Sequence, residues 1–141
     1  MKIPITKPYF SQNEIKAVKK VLDSGWVVQG PKVAKFEKQF ARFTGAKYAI
    51  ATTSCTTALH LSLAALNIGP TDEVIVPSFT FIATANIVEH QRAKPVFVDI
   101  APQTFNIDPA KIEKVINKKT KAIIPVHLFG LSADMPAIMQ I

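Results

Sequence analysis

The chain has 141 residues, 48% of them apolar, and no apolar run approaching the ~18 to 20 residues that span a bilayer, which describes a well-cored globular domain and excludes a disordered or membrane-embedded one. Seventeen Lys and Arg against ten Asp and Glu leave a formal charge of +7, but Lys16, Lys19 and Lys20, then Lys32, Lys35 and Lys38, fall on polar helix faces, so solvated surface is favoured over a nucleic-acid partner. The single cysteine, Cys55, excludes an intrachain disulfide and a thiolate metal site, and Met1-Lys2-Ile3-Pro4-Ile5-Thr6-Lys7 lacks a signal peptide's apolar stretch, so no membrane partner and a cytoplasmic location are expected.

Ser11-Gln12-Asn13-Glu14 reads as a capping box that opens a helix, Ile15, Val18 and Leu22 recur at helical spacing, and Gly25 offers a left-handed stop. Trp26 to Gln29 reads as a short, extended, exposed connector. Gly30-Pro31 then starts a second helix whose stripe is Val33, Phe36, Phe40 and Phe43, ending near Gly45. Residues 1–47 are therefore expected to form an N-terminal helical segment, with a second domain over residues 48–141.

In that second part short apolar runs alternate with helices. Strands are expected at residues 48–52, 74–76, 95–99 and 122–126, and helices at 56–66, 80–90 and 109–117, with a further helix starting near Asp134-Met135-Pro136. Such alternation predicts an α/β fold with about four parallel strands covered by helices on both faces. The run from Met135 to Ile141 carries no stop signal, which reads as a domain cut short.

In an open α/β sheet, ligands gather where the strands end. Thr52-Thr53-Ser54-Cys55-Thr56-Thr57 combines a strand end, a run of hydroxyls and a helix start, the arrangement that binds an anion; equally, Ser54, Thr56 or Thr57 serves only as the helix cap. The five glycines are dispersed, so neither a dinucleotide fingerprint nor a Walker loop is present. Phe81 follows a strand end, where it either offers a flat surface to an aromatic cofactor or belongs to the core. Asp99 and His127 also follow strands, and both read more simply as structural hydrogen-bonding groups.

The ordered motifs resemble those of the DegT-type sugar aminotransferases, which are fold-type I pyridoxal-phosphate enzymes. The motifs are Ser24-Gly25-Trp26, Gln29-Gly30-Pro31-Lys32-Val33, Ser54-Cys55-Thr56-Thr57-Ala58-Leu59-His60, Asp72 to Phe81, Phe97-Val98-Asp99-Ile100 and Pro125-Val126-His127-Leu128-Phe129-Gly130. The resemblance implies an incomplete three-layer, doubly wound, mainly parallel sheet. It implies that Ser54, Cys55 and Thr56 hold the cofactor phosphate through backbone N–H groups and the Thr56 hydroxyl, and that Phe81 stacks on the pyridine ring. Cys55 stands where the family often has glycine.

By the same resemblance the complete enzyme is a homodimer that moves an amino group from a donor such as glutamate to a keto-sugar nucleotide. The Schiff-base lysine and the aspartate facing the pyridine nitrogen are expected beyond residue 141, and no lysine in this chain matches the family's lysine motif. The chain alone is thus expected to be inactive. The alternatives are a fragment of a related sugar dehydratase, or a non-catalytic remnant or accessory subunit that keeps an anion site.

Overall fold

Local signals set the first elements as expected. In the computed structural model, which describes Pro4 and residues 6–141, helix α1 spans Gln12–Asp23. Residues 1–3 and 5, part of the opening segment read above for a signal peptide, lie outside the described residues. The capping box is complete: the Ser11 hydroxyl accepts the Asn13 N–H at 3.1 Å, and the Glu14 carboxylate accepts the Ser11 N–H at 2.6 Å. Gly25 follows the helix at φ 69°, the left-handed stop that glycine adopts without penalty.

Helix α2 spans Pro31–Thr44, with proline at its first position and Gly45 at φ 74° beyond its end. The connector between them does not run extended. Trp26 folds over it, its Nε1 donating to the Gln29 carbonyl at 3.1 Å, and the indole lies where a Cβ on Gly30 would sit, 2.1 Å from Nε1. The apolar stripes of both helices stay largely uncovered: Ile15, Val18, Leu22, Phe36 and Phe43 are all exposed, and Ala41 is the one buried residue of α2.

The chain divides into two compact units, the second being Thr52–Ile141. The second unit is built on a three-stranded sheet in which β1 (Glu73–Pro77) lies between β2 (Lys94–Val98) and β3 (Thr120–Ile123), every pair parallel. Ile75 sits opposite Val96 on one side and Ile123 on the other. All of β1 is buried because it is central and covered on both faces, and this is why its sequence, Glu73-Val74-Ile75-Val76-Pro77, is nearly continuous in apolar residues instead of alternating.

The two faces sort by the period of two. Val74 and Val76 pack with Leu63 of α3 (Cys55–Ala65) and with Ile87 and Val88 of α4 (Ala83–His90). Ile75 points the other way, to Val98, Ile107, Ile112 of α5 (Pro109–Ile112) and Ile138 of α6 (Met135–Ile138). Each fully buried Val or Ile contributes roughly 1.5–3 kcal/mol of transfer free energy. The sheet is thus doubly wound, with α3 and α4 on one face and α5 and α6 on the other.

Several sequence expectations are corrected here. Residues 48–52 do not form a strand, so three strands are present among the described residues where about four were expected. Sheet structure needs a hydrogen-bonded neighbour, and none pairs with this segment; Tyr48 and Ile50 are 75% and 80% exposed, and the Ala51 N–H donates instead to Glu37 Oε1 at 2.8 Å. The expected helix at 80–90 begins only at Ala83, because Ser78 to Ile82 are spent turning away from β1. The helix expected at 109–117 is one α turn followed by a 3-10 turn, Glu113–Val115.

At the amino edge of the sheet a buried carboxylate ties the strand starts together. Glu73 Oε2 accepts from Asn117 Nδ2 at 2.7 Å, and its Oε1 accepts from Lys94 Nζ at 3.2 Å. The Asn117 hydrogen bond, and after it the Lys94 ammonium, hold the Glu73 carboxyl below the usual carboxylate range.

Candidate functional site

In the parallel sheet all three strands end on one side. β1 leads into α4 on one face, while its neighbour β3 leads through residues 124–134 into α6 on the other face. Chains leaving adjacent strands for opposite faces open a crevice at the carboxyl edge, the usual ligand position in doubly wound sheets. Helix α3 packs beside α4, with the His60 and His90 rings 6.0 Å apart, and like α4 it runs back toward the start of a strand. Its N-terminus therefore lies on the side where the strands end.

Ser54, Cys55 and Thr56 come together at that N-terminus. Ser54 is the cap: its backbone is extended, and its hydroxyl accepts the Thr57 N–H at 3.1 Å while pairing with Thr57 Oγ1 at 2.9 Å. Thr53 Oγ1 also reaches Thr57 Oγ1, at 3.2 Å. The Ala58 N–H is taken by the Ser54 carbonyl at 3.0 Å, which starts the helical ladder.

The first two N–H groups of a helix have no intrahelical acceptor, so those of Cys55 and Thr56 are available, and the Thr56 hydroxyl has no partner among the described residues. All three residues are exposed, with the Cys55 thiol free. Two amides, one hydroxyl and the positive end of an eleven-residue helix form a donor set suited to a small anion such as a phosphate monoester.

Phe81 lies on the loop between β1 and α4, 76% exposed. No hydrogen bond or ring contact joins it to the Ser54 turn among the described residues. Its neighbour Phe79 instead packs against Phe105, with centroids 5.9 Å apart. Asp99, at the end of β2, accepts from Ser78 Oγ at 3.3 Å and lies 3.6 Å from Lys111 Nζ, which braces the first part of the same loop. Ser78 N–H also donates to the Val98 carbonyl at 2.8 Å.

His127 Nδ1 accepts the Ala133 N–H at 3.0 Å, and the turn it begins is held by Asn106. Asn106 carried no signal in the sequence. Its partners lie 22 and 25 residues away, and a lone Asn between Phe105 and Ile107 reads as an ordinary turn residue. Among the described residues no group of three or more His, Cys, Asp or Glu is arranged to hold a metal ion, and no helix is long and apolar enough to cross a membrane.

With this geometry in place, the comparisons with known proteins agree with one another. A family model described as the DegT/DnrJ/EryC1/StrS aminotransferase family matches residues 8–141. The spore coat polysaccharide biosynthesis protein SpsC of Bacillus subtilis is 50% identical over 139 residues, covering 99% of this chain and 36% of SpsC. GDP-perosamine synthase of Caulobacter vibrioides is 48% identical over 141 residues, covering 99% of this chain and 38% of the synthase.

Among solved structures, NtdA of Bacillus subtilis with bound cofactor PMP matches at a TM-score of 0.86 and 42% identity, over 92% of this chain and 31% of that one. The chain thus spans little more than a third of the length of the curated relatives it matches.

Proposed function

The chain belongs to the DegT/DnrJ/EryC1/StrS aminotransferase family, and on that premise we propose that it supplies the phosphate-binding and ring-facing part of a pyridoxal-phosphate site in an enzyme that transfers an amino group to a keto-sugar nucleotide. Its α/β fold, a doubly wound parallel sheet, is part of the fold-type I architecture of those aminotransferases. The observation that carries the reading is the α3 N-terminus: two amides and one hydroxyl, unpaired among the described residues, at the carboxyl edge of a parallel sheet. Support for the substrate class comes from the relatives, one a polysaccharide biosynthesis protein and one a GDP-perosamine synthase. Glutamate is the amino donor we favour.

The residues present fit the cofactor's phosphate end. The Cys55 and Thr56 N–H groups and the Thr56 hydroxyl would hold the phosphate, Ser54 keeps that turn in shape through its bond to Thr57, and Phe81 would cover one face of the ring. When bound, the cofactor supplies an electron-accepting ring that stabilises charge developing at the substrate carbon. In this reading the chain's own residues bind and orient. The lysine and aspartate that complete such a site we assign to sequence other than these residues.

The test is to incubate the 141-residue chain with pyridoxal phosphate, glutamate and a keto-sugar nucleotide, then reduce with borohydride. Scattered, substoichiometric lysine labelling and no turnover are expected, with turnover appearing when the complementary C-terminal part of the enzyme is added. A single stoichiometric adduct with turnover by the chain alone would overturn the assignment.

A further inference from the structure

Helices α3 and α4 meet through Leu59, Leu63, Ile87 and Val88, the last three of them buried. Residues three apart are neighbours on a helix surface, so His60 lies beside Leu63 on α3 and His90 beside Ile87 on α4. The contact that seats the apolar residues therefore brings the two imidazoles together at its rim, one from each helix, with ring centroids 6.0 Å apart and planes tilted by 51°. His60 is half-buried and His90 exposed. His90 ends α4 and His60 lies beyond the first turn of α3, so the pair is no part of the turn at Ser54.

Neither imidazole takes part in a hydrogen bond or an ion pair among the described residues, which leaves nitrogen lone pairs on both rings uncommitted. A Zn–N bond is ~2.0–2.1 Å and a ring centre lies about 1 Å behind its nitrogen, so two imidazoles on one ion have ring centres about 5 to 6 Å apart. The observed 6.0 Å is at the wide end of that span. Closing it by about 1 Å is within reach of rotation about the side-chain bonds of the exposed His90. No third His, Cys, Asp or Glu joins the pair among the described residues, so the remaining coordination positions are left to water.

We propose that His60 and His90 form a two-imidazole site for a divalent transition cation of the zinc, nickel or copper class, which ties α3 to α4. Nitrogen donors without a carboxylate select these ions over Mg²⁺ and Ca²⁺, which take oxygen ligands. Once one ring holds the ion the other binds it within the same molecule, and that effective concentration lifts the pair above a lone histidine. His127 is the internal contrast, a single imidazole whose Nδ1 is already taken by the Ala133 N–H. Both rings meet only when the helices are packed, so the ion stabilises the folded chain by linkage. The site is independent of the reading of the Ser54 turn.

The test titrates the whole chain calorimetrically with Zn²⁺, which should bind one ion per chain at this site, and with Mg²⁺, which should not bind. Zn²⁺ is diamagnetic, so imidazole nitrogen NMR of the same sample names the ligands: His60 and His90 signals should move together while those of His127 stay. Loss of one of two donors predicts that His60→Gln and His90→Gln each weaken Zn²⁺ about 100-fold. The double variant should bind no more weakly than either single one, the non-additivity of two groups that share one ion.

Saturating Zn²⁺ should raise the urea midpoint of the unaltered chain and leave that of His90→Gln where it was. If the half-buried His60→Gln does not fold, the exposed His90→Gln decides alone. Equal Zn²⁺ affinity in His90→Gln and the unaltered chain would overturn the inference. Losses that add in the double variant would do the same, as would Zn²⁺ that moves the signals of His127 or Cys55 and not those of His60 and His90.

Discussion

Replacing Thr56 with valine separates the two tasks of the α3 N-terminus. The Thr56 hydroxyl makes no hydrogen bond among the described residues, and valine preserves its branched shape, so the helix should keep its stability to within about 0.5 kcal/mol. A bound anion would lose one of three donors, the Cys55 and Thr56 amides remaining. A hydrogen bond to a charged group is worth ~1.5–3 kcal/mol, and at the low end for an exposed turn this is about a tenfold loss of phosphate affinity.

Ser54→Ala should do the reverse. It removes the acceptor for the Thr57 N–H, 3.1 Å away, and costs about 1 kcal/mol of stability as a lost N-cap, while leaving the Cys55 and Thr56 donors in place. Calorimetric titration with phosphate and urea unfolding, run on both variants and on Thr56→Ser as control, give the two readouts. Wild-type phosphate affinity in Thr56→Val would refute the role of the hydroxyl. An unchanged urea midpoint in Ser54→Ala would refute the cap.

Other perturbations reach different parts of the chain. Gly30→Ala would put a Cβ 2.1 Å from Trp26 Nε1, so the indole must swing out and lose its bond to the Gln29 carbonyl; red-shifted Trp26 fluorescence and a loss of about 1 kcal/mol are expected. Glu73 has a depressed carboxyl pKa in the fold, so its contribution to stability is present above the ordinary carboxylate range and disappears as pH falls through the lowered value. Glu73→Gln should therefore flatten the acid limb of a plot of urea midpoint against pH, and an unchanged limb would count against the Asn117 and Lys94 contacts. Ile75→Ala, at a fully buried site in the central strand, should cost ~2–5 kcal/mol in urea unfolding.

What the sequence determined by itself is what a few neighbouring residues can settle. The capping box at Ser11 and Glu14, the left-handed glycines 25 and 45 and the proline-started α2 all depend on bonds within four residues, and each forms where the sequence placed it; of the three caps the sequence offered for α3, Ser54, Thr56 and Thr57, the structure uses Ser54. The apolar run at 74–76 likewise announced a strand covered on both faces, because a side-chain pattern needs no knowledge of the partner; the structure extends it to Glu73–Pro77. The order and spacing of the motifs pointed to the family.

Only the tertiary structure decided the rest, because it depends on which distant segments meet. The stretch at 48–52 has the composition of a strand but, among the described residues, no neighbour to complete its hydrogen bonds, and composition cannot report that. Asn106 reads as a turn residue until Leu128 and Leu131 arrive at its amide, and His127 reads as a lone histidine until Ala133 takes its Nδ1. A hydrogen bond is satisfied by position, and positions set across 20 or more residues of chain exist only once the sheet has ordered them.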